Sequence, residues 1–223
     1  MTVATDDRAS GKRGWTQNPE AVKQDILEAA TEEFAAHGLS GARIDNIVAR
    51  TRTSKRMIYY YFEDKQGLYA RALEAAYAKV RTGEAALDLG QLEPEAALAR
   101  LVAFTFDHHR ANPEFIRMVM IENIHNAENL VASDVIRGLN IAAIEKLHDI
   151  CRRGEAEGVF RDGIDPVALH WQISAVSFFN VSNRPTFAAL FGGDLFTEAG
   201  QDALRDAVVR TILQSARAVP IPD

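Results

Sequence analysis

The chain has one cysteine, Cys151, among 223 residues. No intramolecular disulfide can form, and a reducing cytoplasm is the simplest home for it. The opening stretch MTVATDDRASGKRGW has no apolar core of signal-peptide length. Long hydrophobic runs are missing as well. The longest stretch free of Asp, Glu, Lys and Arg, Val167 to Asn183, is broken by Gln172, Ser174, Ser177, Asn180 and Ser182. That suits a buried or interface helix rather than a membrane span. No run alternates apolar and polar residues with β-branched enrichment, so no strand is expected. Phosphate loops, nucleophile elbows and Cys-x-x-Cys zinc spacings are absent too, and no catalytic residue, cofactor or metal ligand is assigned.

What is present is the composition of a globular protein, 47% apolar and 25% charged. The net charge of −6 is unevenly spread. Residues 1–65 balance ten basic against ten acidic side chains, so the excess negative charge lies beyond them. Between 50 and 56 stand Arg50, Arg52, Lys55 and Arg56 with no acid among them. A focused basic patch on an acidic body can hold phosphate while the body is repelled from it.

Prolines mark helix starts. Asn18-Pro19, Asn112-Pro113 and Asp165-Pro166 each place a capping side chain before a proline at the first helical position, and Pro94 takes the same place without a good cap. Gly38, Gly158 and either Gly83 or Gly90 are expected to close helices. A first helix over about 19–37 carries Val22, Ile26, Leu27, Ala30 and Phe34 on one face. A short second helix covers about 43–50, with Ile44, Ile47 and Val48 inward. A turn follows at Thr51-Arg52-Thr53, then a third helix from Ser54, which is helix-turn-helix spacing. A long helix runs from Lys65 to about Arg81 with Leu68, Leu73, Ala76 and Val80 as its seam. Further helices are expected at about 94–110, 113–125, 133–156, 166–182 and 197–217, with a short turn or helix over 184–191. The fold class is all-α. Residues 1–17 read as a flexible polar arm, 18–66 as the helix-turn-helix domain and 67–223 as a larger helical domain.

The segment Ser54 to Lys65, SKRMIYYYFEDK, places two basic residues at the head of a short helix and spends three of the five tyrosines on one turn. Such a helix would enter a DNA major groove by its N-terminal end. The longer stretch ILEAATEEFAAHGLSGARIDNIVARTRTSKRMIYYYFEDKQGL, residues 26–68, resembles the N-terminal domain of the TetR family of bacterial transcriptional regulators, and I-Y-Y-Y-F-x-x-K is its most specific part. The later helices resemble that family's ligand-binding and dimerisation domain in number, order and length. Residues 158–166, GVFRDGIDP, also look like the usual turn between its penultimate pair of long helices.

The resemblance implies a homodimer on a double-stranded, near-palindromic operator, modulated by a small-molecule effector. By matching position, Lys55 and Arg56 would reach base edges, where arginine's fork suits guanine. Tyr59 and Tyr61 would contact phosphate or base, while Tyr60 and Phe62 would lock the helix against the first helix through Phe34. Arg43 and Lys65 would hold phosphates, and Arg52, Thr53 and Ser54 complete the expected contact set. Three positions depart from the family's pattern: Arg52 occupies a usual glycine position, where a positive φ would be strained, Thr53 a usually apolar one, and Gly67 replaces an acidic residue, removing a capping box.

In the larger domain, polar groups stand among apolar ones over 104–125. Phe104, His108, Met118, Ile121, Glu122 and His125 are candidate ligand contacts, with Trp171 and Phe178 on a later helix able to close a pocket. Read one by one, the same residues fit a core and its surface. Glu122-x-x-His125 and Glu145-x-x-His148 repeat a di-iron spacing, but the inward glutamates that such a site needs from two other helices are missing. Helices 166–182 and 197–217 are the expected dimer interface, the second through Leu204, Val208, Ile212 and Leu213.

Overall fold

A computed structural model describes residues 18–218, so the expected arm over 1–17 lies outside the described residues. The helices are α1 (Pro19–Gly41), α2 (Ile44–Arg50), α3 (Lys55–Phe62), α4 (Lys65–Ala85), α5 (Pro94–Ala111), α6 (Pro113–Ile124), α7 (Glu128–Val131), α8 (Asp134–Ala156), α9 (Pro166–Ser182), α10 (Arg184–Phe191) and α11 (Glu198–Ala216). Among the described residues there is no strand beyond one isolated bridge, Phe160 to Arg217. No helix there is long and apolar enough to cross a membrane.

Local chemistry sets the helix ends. Asn18 accepts from the Glu20 N–H at 3.1 Å and Asp165 from the Val167 N–H at 2.9 Å, each ahead of a proline. Asn112 does not cap as expected. It is the single residue between α5 and α6, and its amide donates backwards to the His108 carbonyl at 2.8 Å. Gly38 breaks α1 with φ 66°, and Gly158 turns the chain after α8 with φ 70°. Neither Gly83 nor Gly90 closes α4, which continues to Ala85 before Asp88 reverses the chain at φ 52°. Gly83 lies inside the helix because the Phe104 ring rests on it; a Cβ would collide with that ring.

Three apolar clusters hold these helices together. The first joins Ile26, Ala30 and Phe34 of α1, Ile44 and Ile47 of α2, Ile58 and Phe62 of α3, and Leu68, Tyr69 and Leu73 of α4. Met118 of α6 and Ile136 of α8 belong to it too, so the small N-terminal core is continuous with the body. The second cluster packs α5, α8, α9 and α11 around Phe106, Leu147, Phe160 and Ile173. Val208 and Ile212 are buried in it, with Leu204 and Leu213 packed alongside. Val208 and Ile212 of α11 therefore serve their own subunit's core, while Leu204 and Leu213 stay half-buried beside them. The third cluster, Ala76, Val80, Phe115 and Ile116, lies between α4 and α6 with Phe104 and Phe178 against it.

Candidate nucleic-acid interface and ligand cavity

Helical period divides α3 into two faces. Ile58 and Phe62 are buried four residues apart, and Tyr61 leans on the same core. Lys55, Arg56, Tyr59 and Tyr60 point the other way. Tyr60 is 76% exposed and Tyr59 40% exposed. Tyr60, expected in the core, is thus exposed, and Tyr61 is half-buried. Residues two apart lie on nearly opposite sides of a helix, so Tyr61 rests its ring on the core while Tyr59 is exposed. Tyr61 has Lys23 over its ring at 5.6 Å and Tyr60 edge-on at 5.3 Å. Phe34 meets the ring of Tyr69, centroids 5.0 Å apart, and not Tyr60.

The turn before α3 keeps Arg52 out of the positive-φ region. Ser54 caps α3, its Oγ accepting from the Met57 N–H at 3.3 Å. Arg52 is not among the described positive-φ residues, and its backbone N–H donates to Asp25 at 3.5 Å. The left-handed residue lies after α3 instead, at Glu63, with φ 65°. Asp64 then caps α4 through the Gly67 N–H at 2.7 Å. Gly67 is required because the Phe62 carbonyl comes so close that a Cβ would overlap it.

Several basic side chains are already engaged. Lys55 pairs with Asp45 at 2.9 Å, and Arg50 with Glu32 and Glu33 at 3.4 and 3.5 Å. Lys65 donates to the carbonyls of Ser40 and Ala42 at 3.3 Å each, tying the start of α4 to the chain entering α2. Arg43 precedes α2, its N–H bonded to Glu33 at 3.1 Å, and Asn46 donates to the same oxygen at 2.9 Å. Burial pushes the Glu33 carboxyl upward, but the Arg43 and Asn46 bonds, with the His37 and Arg50 charges, outweigh it and hold it below the usual range. Glu33 is therefore the fully buried acceptor that fixes α2 against α1. Arg56 has no ion-pair partner among the described residues and stands exposed beside Tyr60.

In the body, α4, α5, α6, α8 and α9 line a half-open cavity of about 310 Å³. Its aromatic walls are Tyr77, Phe115, Trp171 and Phe178; Arg81, Glu84, His109 and His170 supply its ionisable groups. Of the expected ligand contacts, only Trp171 and Phe178 line it. Met118 is buried in the N-terminal core, Phe104 covers Gly83, Ile121 lies off the lining, and His125 is an exposed cap at the end of α6. His108 faces a separate crevice between α1 and α4, and burial, then Lys79 and Arg81, lower its pKa to about 4.

Glu122 also proves to be a structural joint. It is fully buried and accepts from the Tyr69 hydroxyl at 2.8 Å, the Asn129 amide at 3.0 Å, and the backbone N–H groups of Asn129 and Leu130 at 3.2 Å each. Its oxygens are thus committed to protein donors, while Glu145 and His148 lie exposed on α8. The lining residues of α4 were missed because they stand some thirty positions from the polar cluster in α5 and α6. Arg81 and Glu84, set into the seam with Tyr77 and Val80, were the available signal.

Comparison with known proteins agrees with both halves. The pattern described as "Bacterial regulatory proteins, tetR family" matches residues 26–72, and "Tetracyclin repressor-like, C-terminal domain" matches 94–212. HTH-type transcriptional repressor NicS of Pseudomonas putida is 36% identical over 84% of this chain and 88% of that protein. HTH-type transcriptional repressor SCO4008 of Streptomyces coelicolor is 32% identical over 86% of this chain and 93% of that protein. The crystal structure of the regulator SCO4942 from Streptomyces coelicolor covers 90% of this chain and 99% of its own, with a TM-score of 0.66 at 28% identity.

Proposed function

Because the chain belongs to the TetR family of bacterial transcriptional regulators, we propose that it is a homodimeric repressor released from a near-palindromic operator by a small molecule. The protein is a DNA-binding regulator and not an enzyme. Residues 18–66 act as the reading head and 67–223 as the sensing and dimerising body. In the head, Lys55, Arg56, Tyr59 and Tyr60 enter the major groove. Arg43, Arg52, Thr53, Ser54, Lys65 and the Tyr61 hydroxyl line the phosphate side, where contacts position the protein without reading sequence.

The observation that carries ligand control is the double use of α4 and α6. Tyr69 and Leu73 of α4 and Met118 of α6 sit in the head core, while Tyr77, Val80, Arg81, Phe115, Ile116 and Val119 of the same helices line the cavity. A molecule that alters the spacing of α4 and α6 moves the head. Two heads in successive major grooves must stand about 34–36 Å apart, so a ligand that prefers another separation shifts the population off DNA. The dimer face is the outward stripe of α9, with Val167, Trp171, Val176 and Phe179 exposed and no charged residue along it. Leu190 and Phe191 of α10 extend the same exposed apolar surface.

A thermal-shift screen of metabolites, followed by gel shifts on the operator, tests this reading. At least one stabilising compound should abolish operator binding. Val119→Trp, which fills the cavity, should lose that response while still shifting DNA. Retention of the operator with every stabilising compound would overturn ligand control.

A further inference from the structure

The cavity is half open, and the exposure of its wall residues shows where. Val80, Glu84, Thr105, His109, Phe115 and Ile116 are buried, and the rest of the wall is half-buried apart from two residues. Asn123, near the end of α6, and Trp171, in the first half of α9, are the exposed ones. The mouth therefore lies between those two helices.

Trp171 belongs to two surfaces. It forms part of the cavity wall, yet it is 71% exposed. Val167, Trp171 and Ala175 follow one another at intervals of four, so they stand in one row along α9. Trp171 and Ala175 of that row line the cavity, while Val167 is exposed. The mouth is thus continuous with the outward stripe of α9, on which Val176 and Phe179 are also exposed. No Asp, Glu, Lys or Arg interrupts the chain from Val167 to Asn183. Large apolar residues left in water on an uncharged helix, a tryptophan among them, mark a surface that a protein partner covers.

On the reading that this stripe is the dimer face and this cavity the effector site, a second copy of the chain lies across the opening. A two-fold interface is self-complementary, so each subunit covers the cavity of the other. We infer that each effector site is completed by the partner subunit, the α9 stripe of one copy roofing the mouth between Asn123 and Trp171 of the other. The dimer then holds two equivalent sites. A ligand held by the joined pair binds the dimer better than the monomer, and by linkage it draws the subunits together. Release from the operator comes from altered spacing within an intact dimer, not from dissociation. Trp171 touches ligand and partner alike, so it carries occupancy to the interface.

Thiol reactivity tests the inference, with Asn123→Cys in the full-length protein and dithionitrobenzoate as the probe. Asn123 stands on α6, across the mouth from α9, so burial of α9 by itself would not shield it. The native Cys151 is buried, and burial, then the Glu155 charge, push its thiol up to about 11, which keeps the background slow. The comparison adds Val176→Arg, which sets a charge on the stripe at a residue outside the cavity wall and should give folded monomers by sedimentation and circular dichroism. Phe179→Arg repeats the comparison should the first variant misfold. Cysteine 123 should react about tenfold or more slowly in the dimer than in the monomer. Equal rates in the two would overturn the inference and leave the dimer face standing. A monomeric wild type, or arginine variants that stay dimeric, would instead overturn the α9 dimer face and the roof with it.

Discussion

Tyr69→Phe removes one oxygen from the joint between head and body. The hydroxyl donates to Glu122 at 2.8 Å, and both side chains are fully buried. Burial, then the bond to Glu122 and its charge, push the phenol well above its usual pKa, so it remains a donor at neutral pH. Loss of a hydrogen bond to a charged acceptor costs about 1.5–3 kcal/mol. The cost stays below the ~3–5 kcal/mol of breaking a buried ion pair, because Asn129 and Leu130 still donate to Glu122. The edge-to-face contact of ring 69 with Phe34 survives the change. At about 2–4 °C per kcal/mol for a chain of this size, Tm should fall by roughly 3–12 °C with helicity unchanged. A double-mutant cycle with Glu122→Gln, followed by circular dichroism melts, should return a coupling above ~0.5 kcal/mol. A Tm within about 1 °C of wild type would refute the reasoning. The α7 backbone would then hold Glu122 unaided.

Gly67→Ala should destabilise by about 1–3 kcal/mol in a denaturant titration, against alanine's better helix propensity, because the Phe62 carbonyl occupies the Cβ position; a stabilised variant would contradict that close approach. Asp45→Asn frees Lys55 from an exposed, solvent-screened ion pair. Operator affinity should rise and its logarithmic salt slope should steepen by about one phosphate contact, as fluorescence anisotropy can measure; unchanged affinity would remove Lys55 from the interface. On acidification, the unfolded chain protonates His109 near pH 6.5 while the folded chain resists to about pH 4. Stability should therefore be lost as pH falls between those values, by up to ~1.4 kcal/mol per pH unit from this residue. His109→Phe should flatten the slope in that window, and an unaltered slope would show the ring does not titrate as described. Glu33, held below its usual range, adds its loss at lower pH.

Helix starts were legible because proline and a capping side chain act within one turn: Asn18 and Asp165 cap as local chemistry requires. Asn112 does not, because a one-residue link forces it to close α5 first. The reading helix was legible as an element, but its phase was not. Three consecutive tyrosines carry no period of their own, and the buried pair Ile58 and Phe62 sets which of them face out. Arg52 showed a departure whose cost did not materialise, since the turn keeps it out of the left-handed region. Long-range features escaped most completely. Glu122 looked like a ligand contact until Tyr69, fifty-three residues earlier, was seen to donate to it. The cavity takes residues from five helices, and no window of sequence shows that α4 supplies the charged part of its wall.

The central claim is that the outward face of α3 reads DNA, and Arg56 is the side chain on that face free of any ion pair among the described residues. Affinity of the wild type and of Arg56→Ala for an operator selected from random DNA by the wild type, at one salt concentration, tests it most directly. A base-reading arginine predicts a loss of about 1–3 kcal/mol, roughly 5- to 150-fold, with relaxed preference at one base pair per half-site and no change in fold. Equal affinity and unchanged sequence preference in a folded variant would contradict the account.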